Sequence, residues 1–307
     1  MKQYLCIDCG GTFTKYAVIR ENNDLLKKGQ IKTECANYDL FMANIQKLFK
    51  ENQDVCGIAM SLPGVLDVET GYAHTGGAIG CIYGINIAAE ISKICNGLPV
   101  TIENDAKAAG IAEVADGALK GCRNGVVIVI GTALGGTIVI NEEVVRGKNL
   151  FAGEISYIYY KNWQDDTSNV TGNKKDGRLY TEYCTPKKMC DIYSARTGKQ
   201  LSSTDNPWLF RQYEKGDKDA EYAIRTCCRD LAMLLFNIQC VTDPEVIAIG
   251  GGISNEQILI DLLREEVAVY AKTHKFSGAP VPIVKACKYK SDANLFGAYF
   301  AHRKKFG

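Results

Sequence analysis

The chain has 307 residues, of which 46% are hydrophobic and 23% are charged, so it has an ordinary globular composition and is long enough for two domains rather than one small core. Its 36 basic and 35 acidic residues leave a net charge of +1, which gives no electrostatic reason to expect binding to nucleic acid or to a membrane surface. We expect neither a signal peptide nor a membrane span, and the 13 scattered cysteines are typical of small hydrophobic residues in a reduced, cytoplasmic protein.

Strands and helices alternate through the first part of the chain. The predicted elements are, in order, strands over residues 4–9 and 12–19, a helix over 38–51, a strand over 55–60, a helix over 87–95 and a strand over 100–102. Apolar residues at helical spacing indicate the first helix, and Gly97 and Pro99 end the second. An alanine-rich helix then begins near Asp105.

The second part of the chain continues this alternation. Its predicted elements are strands over residues 126–130 and 137–140, a helix over 217–241, a strand over 246–249, a further helix, a strand over 281–285 and a closing helix from Ser291. A polar segment over 163–178 predicts an exposed loop, and the charged residues around His302 predict exposure there too. The pattern is typical of an α/β fold. We expect two lobes, 1–118 and 119–307, with the closing helix 291–303 packing back on the first.

Two glycine turns share one layout, in which a strand, a glycine-rich turn and a second strand follow one another. The first turn is Asp8-Cys9-Gly10-Gly11-Thr12 and the second is Gly131-Thr132-Ala133-Leu134-Gly135-Gly136-Thr137. Glycine lets backbone amides approach an anion closely, and the threonines add hydroxyl donors. A P-loop or a Rossmann turn would open a helix instead. Either turn alone is more often a plain tight hairpin, but the pair predicts a polyphosphate site with one hairpin from each lobe.

A third glycine run, Gly250-Gly251-Gly252, ends a predicted buried strand. Taken alone it is more typical of a strand-to-helix turn than of a binding site. In combination with the two hairpins, the close backbone approach at Gly251 and Gly252 suits the nucleoside side of ATP.

Three carboxylates are candidates for phosphoryl transfer, which needs a metal to share phosphate charge and a base to accept the hydroxyl proton. Asp105 follows a buried strand and starts a helix whose dipole favours an anion, so it is the candidate base; helix capping is the ordinary alternative. Asp8 ends the first strand, where it either binds Mg²⁺, directly or through water, or simply occupies a turn. Glu154 follows the second hairpin and would accept two sugar hydroxyls, the alternative being a solvated loop residue.

Together these motifs resemble the ROK family of sugar kinases, repressors and related proteins. The matching segments are Asp8 to Thr12, Leu98 to Ala106, Gly131 to Gly136, Ala152 to Glu154, Asp243-Pro244-Glu245 with Gly250-Gly251-Gly252, and Phe296 to Ala298. The family's usual middle glycine of the second phosphate motif is Ala133 here. The resemblance covers nearly the whole chain. It implies a two-lobed actin-like ATPase fold of the ribonuclease H-like type with an interlobe cleft, ATP and Mg²⁺ as cofactors, and Asp105 as the catalytic base.

The resemblance also implies a sugar site. Asn104 and Glu154 would orient the sugar, and Glu182 falls where the family's second sugar-binding glutamate lies. Gly77 belongs to a glycine-containing segment that either faces the sugar or forms a plain turn.

One departure from the family concerns zinc. Most members follow the first glutamate with Gly-His and then a cysteine-rich zinc motif, whereas Ser156 and Tyr157 stand here and no cysteine lies within residues 163–183. Without the histidine and the thiolates a tetrahedral zinc site has no ligands, so we expect no structural zinc. Tyr157 either forms a wall of the sugar pocket or belongs to the core.

The expected activity is transfer of the γ-phosphoryl group of ATP to a sugar, because the subset of the family without zinc ligands includes proteins similar to β-glucoside kinases. The expected acceptor is the 6-hydroxyl of a β-glucoside or of glucose. The alternatives are an N-acetylmannosamine or other hexose kinase, an actin-like kinase of another small alcohol or acid, and a sugar sensor without turnover. Repressor relatives carry an N-terminal helix-turn-helix, which is not seen here, so we expect no nucleic-acid partner. Dimers are common in the family, and a homodimer is an expectation without an identified interface.

Overall fold

The computed structural model describes residues 1–160, 179–274, Gly278 and 280–307. The chain divides into two compact units that interleave along the sequence. The first unit comprises Met1–Asp116, Arg146–Ala152 and Asp292–Gly307, and the second comprises Gly117–Val145 and Gly153–Ser291. The exposed loop predicted over 163–178 lies outside the described residues.

The described strands are, in chain order, β1 (Gln3–Cys9), β2 (Phe13–Arg20), β3 (Leu25–Lys32), β4 (Ile58–Leu62), β5 (Leu66–Asp67), β6 (Tyr72–Ala73), β7 (Val100–Asn104), β8 (Gly125–Ile130), β9 (Leu134–Ile140), β10 (Glu143–Val144), β11 (Val246–Gly250) and β12 (Val284–Ala286). The described α-helices are α1 (Tyr38–Lys50), α2 (Ile87–Ile94), α3 (Asp105–Asp116), α4 (Pro186–Thr197), α5 (Asn206–Glu214), α6 (Lys218–Thr242), α7 (Gln257–His274) and α8 (Ala293–Phe306). Among these described helices, none combines the length and apolar character that a membrane crossing requires.

The first unit is built on a five-stranded sheet in the order β3-β2-β1-β4-β7. β2 is antiparallel to β1 and β3, whereas β4 runs parallel to β1 and β7 parallel to β4. Side chains of β1 alternate between two apolar clusters: Leu5 and Ile7 pack with α1 and α2, and Tyr4 and Cys6 pack with α8. Both faces of the sheet are therefore covered, which explains why β1 is a continuous apolar run in the sequence.

Helix α8 is packed tightly into the first unit. A Cβ at Gly297 would lie 1.8 Å from the carbonyl oxygen of Ala108 in α3. His302 is fully buried, which corrects the prediction of an exposed segment; its Nδ1 lies 3.0 Å from Thr101 Oγ1 of β7. Burial lowers the pKa of His302 to about 4, so the imidazole is neutral at physiological pH and suits an apolar site.

The second unit repeats the arrangement of strands around a different core. Its sheet has the order β10-β9-β8-β11-β12, with β9 antiparallel to β8 and with β11 and β12 parallel to it. Helix α6 begins at Asp217, whose side chain accepts hydrogen bonds from the N–H groups of Asp219 and Ala220. It buries a long apolar face in the main cluster of this unit, including Leu231 and Leu235.

Several predicted boundaries are wrong. The strand predicted over 55–60 begins at Ile58, directly after Gly57, which packs on His302 so closely that a Cβ would lie 2.2 Å from Nε2. The strand predicted over 281–285 is the short β12. The second glycine turn is also shorter than predicted, since β9 already begins at Leu134.

We expect Gly297→Ala to lower the free energy of unfolding of the first unit by about 1–3 kcal/mol, because overpacking a closed helix contact costs that much. The measurement is urea unfolding followed by circular dichroism. Lys304→Ala, on the exposed side of the same helix, is the control and should change stability by less than ~0.5 kcal/mol. An unchanged unfolding midpoint for Gly297→Ala would show that α3 and α8 do not pack as closely as described.

Candidate active site

The first glycine hairpin closes the end of β1. Gly10 N–H donates to the carbonyl oxygen of Phe13 at 3.1 Å, so this amide is used inside the turn. Gly11 and Thr12 form the exposed tip. A Cβ at Gly11 would lie 3.1 Å from the Cβ of Ala78, which places the hairpin against the loop that contains Gly77.

Asp8 lies just before this hairpin and is only 8% exposed. Asn294 Nδ2 of α8 donates to Asp8 Oδ1 at 3.0 Å. Burial raises the pKa of the Asp8 carboxyl, whereas the Asn294 hydrogen bond and the charge of Lys15 lower it. Strand register aligns Asp8 with Ser61 of β4, and Ser61 with Glu103 of β7.

The junction between β7 and α3 holds Asn104 and Asp105. Asn104 Oδ1 accepts from Lys107 N–H at 3.2 Å, and Asn104 Nδ2 donates to the carbonyl oxygen of Gly64 at 3.1 Å. Asn104, rather than Asp105, therefore caps the helix. Asp105 Oδ1 accepts from Ala106 N–H at 2.8 Å, so the carboxylate sits at the positive end of the helix dipole.

Gly77 lies beside the turn at Pro63 and Gly64, to which Asn104 is hydrogen-bonded. Gly64 has φ of 103°, and a Cβ there would lie 2.3 Å from the carbonyl oxygen of Thr75, while a Cβ at Gly77 would lie 3.0 Å from Pro63 Cβ. These close approaches require glycine. The first hairpin, Asp8, Gly77 and the Asn104-Asp105 junction therefore meet at one edge of the first sheet.

A buried ion pair, which sequence reasoning missed, lies behind the Asn104-Asp105 junction. Arg146 Nη2 binds Glu103 Oε2, and Glu103 Oε1 accepts from Asn104 N–H at 3.0 Å. Glu103 is 2% exposed. Burial raises the pKa of its carboxyl, whereas the Arg146 charge and the Asn104 N–H lower it. The signal available in the sequence was a glutamate directly after the predicted buried strand over 100–102, where a carboxylate demands a countercharge.

The second glycine hairpin closes in the same way as the first. Gly131 N–H donates to the carbonyl oxygen of Ala133 at 3.0 Å, and Thr132 is exposed at the tip. Gly135 and Gly136 lie in β9 rather than in the turn. A Cβ at Gly136 would lie 2.6 Å from the carbonyl oxygen of Gly153, so this glycine lets the segment before Glu154 pack on the strand.

A cavity of about 220 Å³ lies beside this hairpin in the second unit. The backbone turn at its edge requires glycine, because Gly251 has φ of 88° and a Cβ there would lie 2.2 Å from the carbonyl oxygen of Ile130. Isoleucine and proline residues and a few polar side chains line the cavity, as in many small-molecule sites. The lining residues are Ile130, Gly131, Pro186, Ser203, Asn206, Pro207, Gly252, Ile253 and Glu256.

Glu154, Tyr157 and Glu182 lie at two short 3-10 turns of the second unit, Glu154 directly before the first turn and the other two at the last residue of each. Tyr157 N–H donates to the carbonyl oxygen of Glu154 at 3.1 Å, and Tyr157 is 54% exposed, so the alternative that it belongs to the core is wrong. Next to Glu182, Thr181 Oγ1 accepts from Leu134 N–H of the second hairpin at 2.9 Å. Both turns are thus attached to β9.

The sequence predicts a Mg²⁺ site and no structural zinc, and the described residues bear differently on these two predictions. Mg²⁺ needs only one or two carboxylates, with waters and substrate phosphates completing its shell, and the Asp8 carboxylate beside the first hairpin fits that need. Among the described residues, no group of three or more His, Cys, Asp or Glu could hold a metal ion. Residues 161–178 lie outside the described part, so the absence of a structural zinc stays a prediction.

Comparison with known proteins assigns the family. A family model of the ROK family matches residues 4–305. This chain belongs to the ROK family. Among similar ROK proteins, the β-glucoside kinase of Listeria innocua is 30% identical over 295 residues, 95% of each chain. The N-acetyl-D-glucosamine kinase of Photobacterium profundum is 26% identical over 319 residues, 98% of this chain and 100% of its own.

Solved ROK structures agree with the fold. A ROK family protein from Streptococcus pneumoniae, solved in complex with sucrose, has a TM-score of 0.84 at 28% identity, and the match covers 99% of this chain and 98% of that protein. The α/β actin-like ATPase fold that the sequence predicted is therefore confirmed.

The buried ion pair gives a prediction that depends on pH. Arg146→Ala leaves the Glu103 charge buried without a partner, so we expect a loss of about 3–5 kcal/mol in the free energy of unfolding of the first unit at neutral pH. Without Arg146 the pKa of Glu103 rises further, and protonation removes the unpaired charge. The loss should therefore shrink as the pH falls towards ~5, which urea unfolding at several pH values will measure.

Arg196→Ala is the matched control, because the pair of Arg196 with Asp219 is largely exposed and should contribute less than ~1 kcal/mol at any of these pH values. A loss for Arg146→Ala that is equally small, or that does not change with pH, would contradict a buried charge at Glu103.

Proposed function

We propose that this ROK protein is an ATP-dependent sugar kinase in which Asp105 is the catalytic base. The observation that carries the proposal is the junction of β7 and α3. Because Asn104 caps the helix, the Asp105 carboxylate is held rigidly without being the cap itself. A fixed carboxylate at the edge of the sheet that also carries Asp8 and Gly77 suits proton abstraction from a bound alcohol.

The two glycine hairpins are proposed to bind the phosphates of ATP. Gly10 and Gly131 each use their N–H inside the turn, so we expect the exposed tips to face the ligand. Thr12 and Thr132 supply hydroxyl donors there, and Gly11 allows close approach. Gly136 contributes by letting the neighbouring segment pack on β9, and Gly135, the residue before it in that strand, is proposed as part of the same phosphate site. Backbone amides and hydroxyls stabilise the phosphate charge without adding a competing anion.

The nucleoside of ATP is proposed to occupy the cavity of the second unit. Its walls of proline and isoleucine suit a planar base, and Ser203, Asn206 and Glu256 offer polar groups for orientation. Gly251 and Gly252 allow the ligand to approach the end of β11 closely.

Asp8 is proposed to hold Mg²⁺, directly or through water, at the first hairpin. When bound, the ion supplies positive charge that neutralises the phosphates. Asn294 fixes one oxygen of Asp8, which orients the carboxylate.

The sugar is proposed to be oriented by Asn104, Glu154, Glu182, Tyr157 and Gly77. The two glutamates accept hydrogen bonds from hydroxyls, and the exposed Tyr157 ring offers an apolar face for a sugar. Asp105 then accepts the proton of the attacking hydroxyl as the oxygen bonds to the γ-phosphorus and the bond to ADP breaks.

A β-glucoside is the acceptor that we propose, with phosphorylation at its 6-hydroxyl. The supporting observations are the 30% identity to a protein named β-glucoside kinase and the exposure of Gly77, beside which a second sugar unit is proposed to lie. An N-acetylhexosamine is the second candidate, because the relative from Photobacterium profundum is named N-acetyl-D-glucosamine kinase.

We expect Asp105→Asn to lower kcat by about 10²–10⁴-fold, the usual contribution of a general base. The dissociation constant for sugar, measured by calorimetry, should stay nearly unchanged because the amide keeps the size of the side chain. Asp116→Asn, at the other end of α3, is the control and should keep its activity. Normal turnover of correctly folded Asp105→Asn would remove Asp105 from the mechanism.

The function itself is tested by ADP release with Mg·ATP and a panel of sugars: cellobiose, gentiobiose, glucose, N-acetylglucosamine, N-acetylmannosamine and fructose. We expect kcat/KM to be highest for a β-glucoside, by at least about tenfold over the N-acetylated sugars, the scale of one well-placed discriminating contact. Preference for an N-acetylated sugar would favour the second candidate. Sugar binding without any turnover would favour a sensor instead.

A further inference from the structure

The two 3-10 turns of the proposed sugar site are joined to each other near their ends. The first turn, Ile155–Tyr157, directly follows Glu154, and the second, Tyr180–Glu182, ends in the other glutamate. Tyr159 and Leu179 form an antiparallel bridge, and Tyr180 N–H donates to the carbonyl oxygen of Ile158 at 3.0 Å. Two segments far apart in sequence are therefore held side by side.

Tyr160 follows the first turn in the chain and packs its ring against the second segment. Its ring centroid lies 4.3 Å from that of Tyr183, with the planes 28° apart, which is a stacked contact. It lies 5.1 Å from the centroid of Tyr180 at 83°, an edge-to-face contact. Such aromatic pairs each contribute about 0.5–1.5 kcal/mol beyond the area that they bury.

Hydrogen bonds attach these rings to α6. Tyr160 Oη donates to Asp230 Oδ1 at 2.9 Å, and Asn237 Nδ2, on the same helix, donates to Tyr180 Oη at 3.1 Å. Burial and the Asp230 carboxylate raise the pKa of Tyr160, and burial raises the pKa of Tyr180 to about 12. Both phenols therefore remain protonated at physiological pH.

The attachment point is rigid, because α6 is the central helix of the core in this unit. Leu231 and Leu234, next to Asp230 along the chain, are at most 2% exposed. On the other side, Ile155 packs on Gly136 of β9. The backbone that carries Glu154 and Glu182 is therefore fixed between α6 and β9. Tyr160 joins its two halves, because it follows the first turn in the chain and contacts the second segment through its ring.

We propose that Tyr160 is a positioning residue for sugar binding: its ring, packed on Tyr180 and Tyr183 and hydrogen-bonded to Asp230, fixes the two turns that carry Glu154 and Glu182. The inference rests on the proposed function and deepens it, since it names what determines affinity for the sugar. A carboxylate that must accept hydroxyls in one geometry loses affinity when its supporting backbone moves.

The test measures sugar affinity, steady-state kinetics and backbone protection together. Tyr160→Phe keeps the ring and removes the hydrogen bond to Asp230, so the dissociation constant and KM for the sugar should rise about fivefold, the equivalent of one hydrogen bond. Tyr160→Ala removes the ring as well as the hydrogen bond, and it should raise the dissociation constant and KM for the sugar further. KM for ATP should not change, because the nucleoside cavity does not include this cluster.

Asp230→Asn keeps an acceptor oxygen for Tyr160 and should retain most of the affinity, whereas Asp230→Ala should behave like Tyr160→Phe. Tyr193→Phe is the matched control: Tyr193 Oη donates to Asp217 Oδ2 at 2.9 Å in the same unit but touches neither turn. It should leave sugar affinity unchanged.

Hydrogen exchange in the absence of ligands separates this inference from the proposed function. In Tyr160→Ala, amides of residues 155–158 and 180–184 should exchange faster than in the unsubstituted protein, even if no sugar is ever found to bind. Unchanged exchange in both turns, or sugar affinity in both Tyr160 variants equal to that of the unsubstituted protein, would overturn the positioning role. Equal increases in KM for sugar and ATP would also overturn it, because they would indicate a general loss of structure.

Discussion

The register of three parallel strands is the constraint on which the first unit depends. Asp8 of β1 pairs with Ser61 of β4, and Ser61 pairs with Glu103 of β7. The carboxyl ends of all three strands therefore meet at one edge of the sheet, which is where ligands bind in open α/β sheets. A slip of one residue would turn every one of these side chains to the other face. The apolar clusters on both faces of the sheet oppose such a slip, since β1 buries residues on each side.

Local interactions then give each strand end its function. At the end of β7, the Glu103 carboxylate accepts a hydrogen bond from the backbone N–H of Asn104. The Asn104 side chain in turn accepts one from the N–H of Lys107 in the first turn of α3. Asp105 is thereby left as the first residue of the helix, with a fixed backbone and a half-buried side chain. In the second unit, α6 and β9 likewise fix the backbone that carries Glu154 and Glu182. The side chains proposed to contact substrate are thus few, and each depends on buried neighbours that do not contact it.

The sequence predicted the elements that are strongly periodic or marked by glycine. α1, α6, β1 and the start of α3 at Asp105 lie within a few residues of their predicted bounds, because apolar spacing and caps act locally. β3 was not predicted, since this edge strand is mostly exposed and rich in lysine. α4 and α5 were not predicted either, because their apolar faces are short. Each has a proline at its first or second position.

What sequence reasoning could not supply are contacts between distant residues. The pairing of Glu103 with Arg146, the burial of His302 against Gly57 and the contact of Tyr160 with Asp230 each join segments far apart in the chain. A charge or a phenol in an apolar segment indicates that a partner exists, but only the tertiary structure identifies the partner. The packing of Gly136 against Gly153 is a further contact of this kind, because it is not visible locally.

Phosphorus NMR of a reaction containing Mg·ATP and cellobiose tests the central claim, that the Asp105 site transfers phosphate to a sugar hydroxyl rather than to water. We expect a new phosphate monoester signal, coupled to the two methylene protons of a sugar 6-position, that grows in equal amount with ADP. Release of ADP with inorganic phosphate as the sole other product, across every sugar tested, would contradict it.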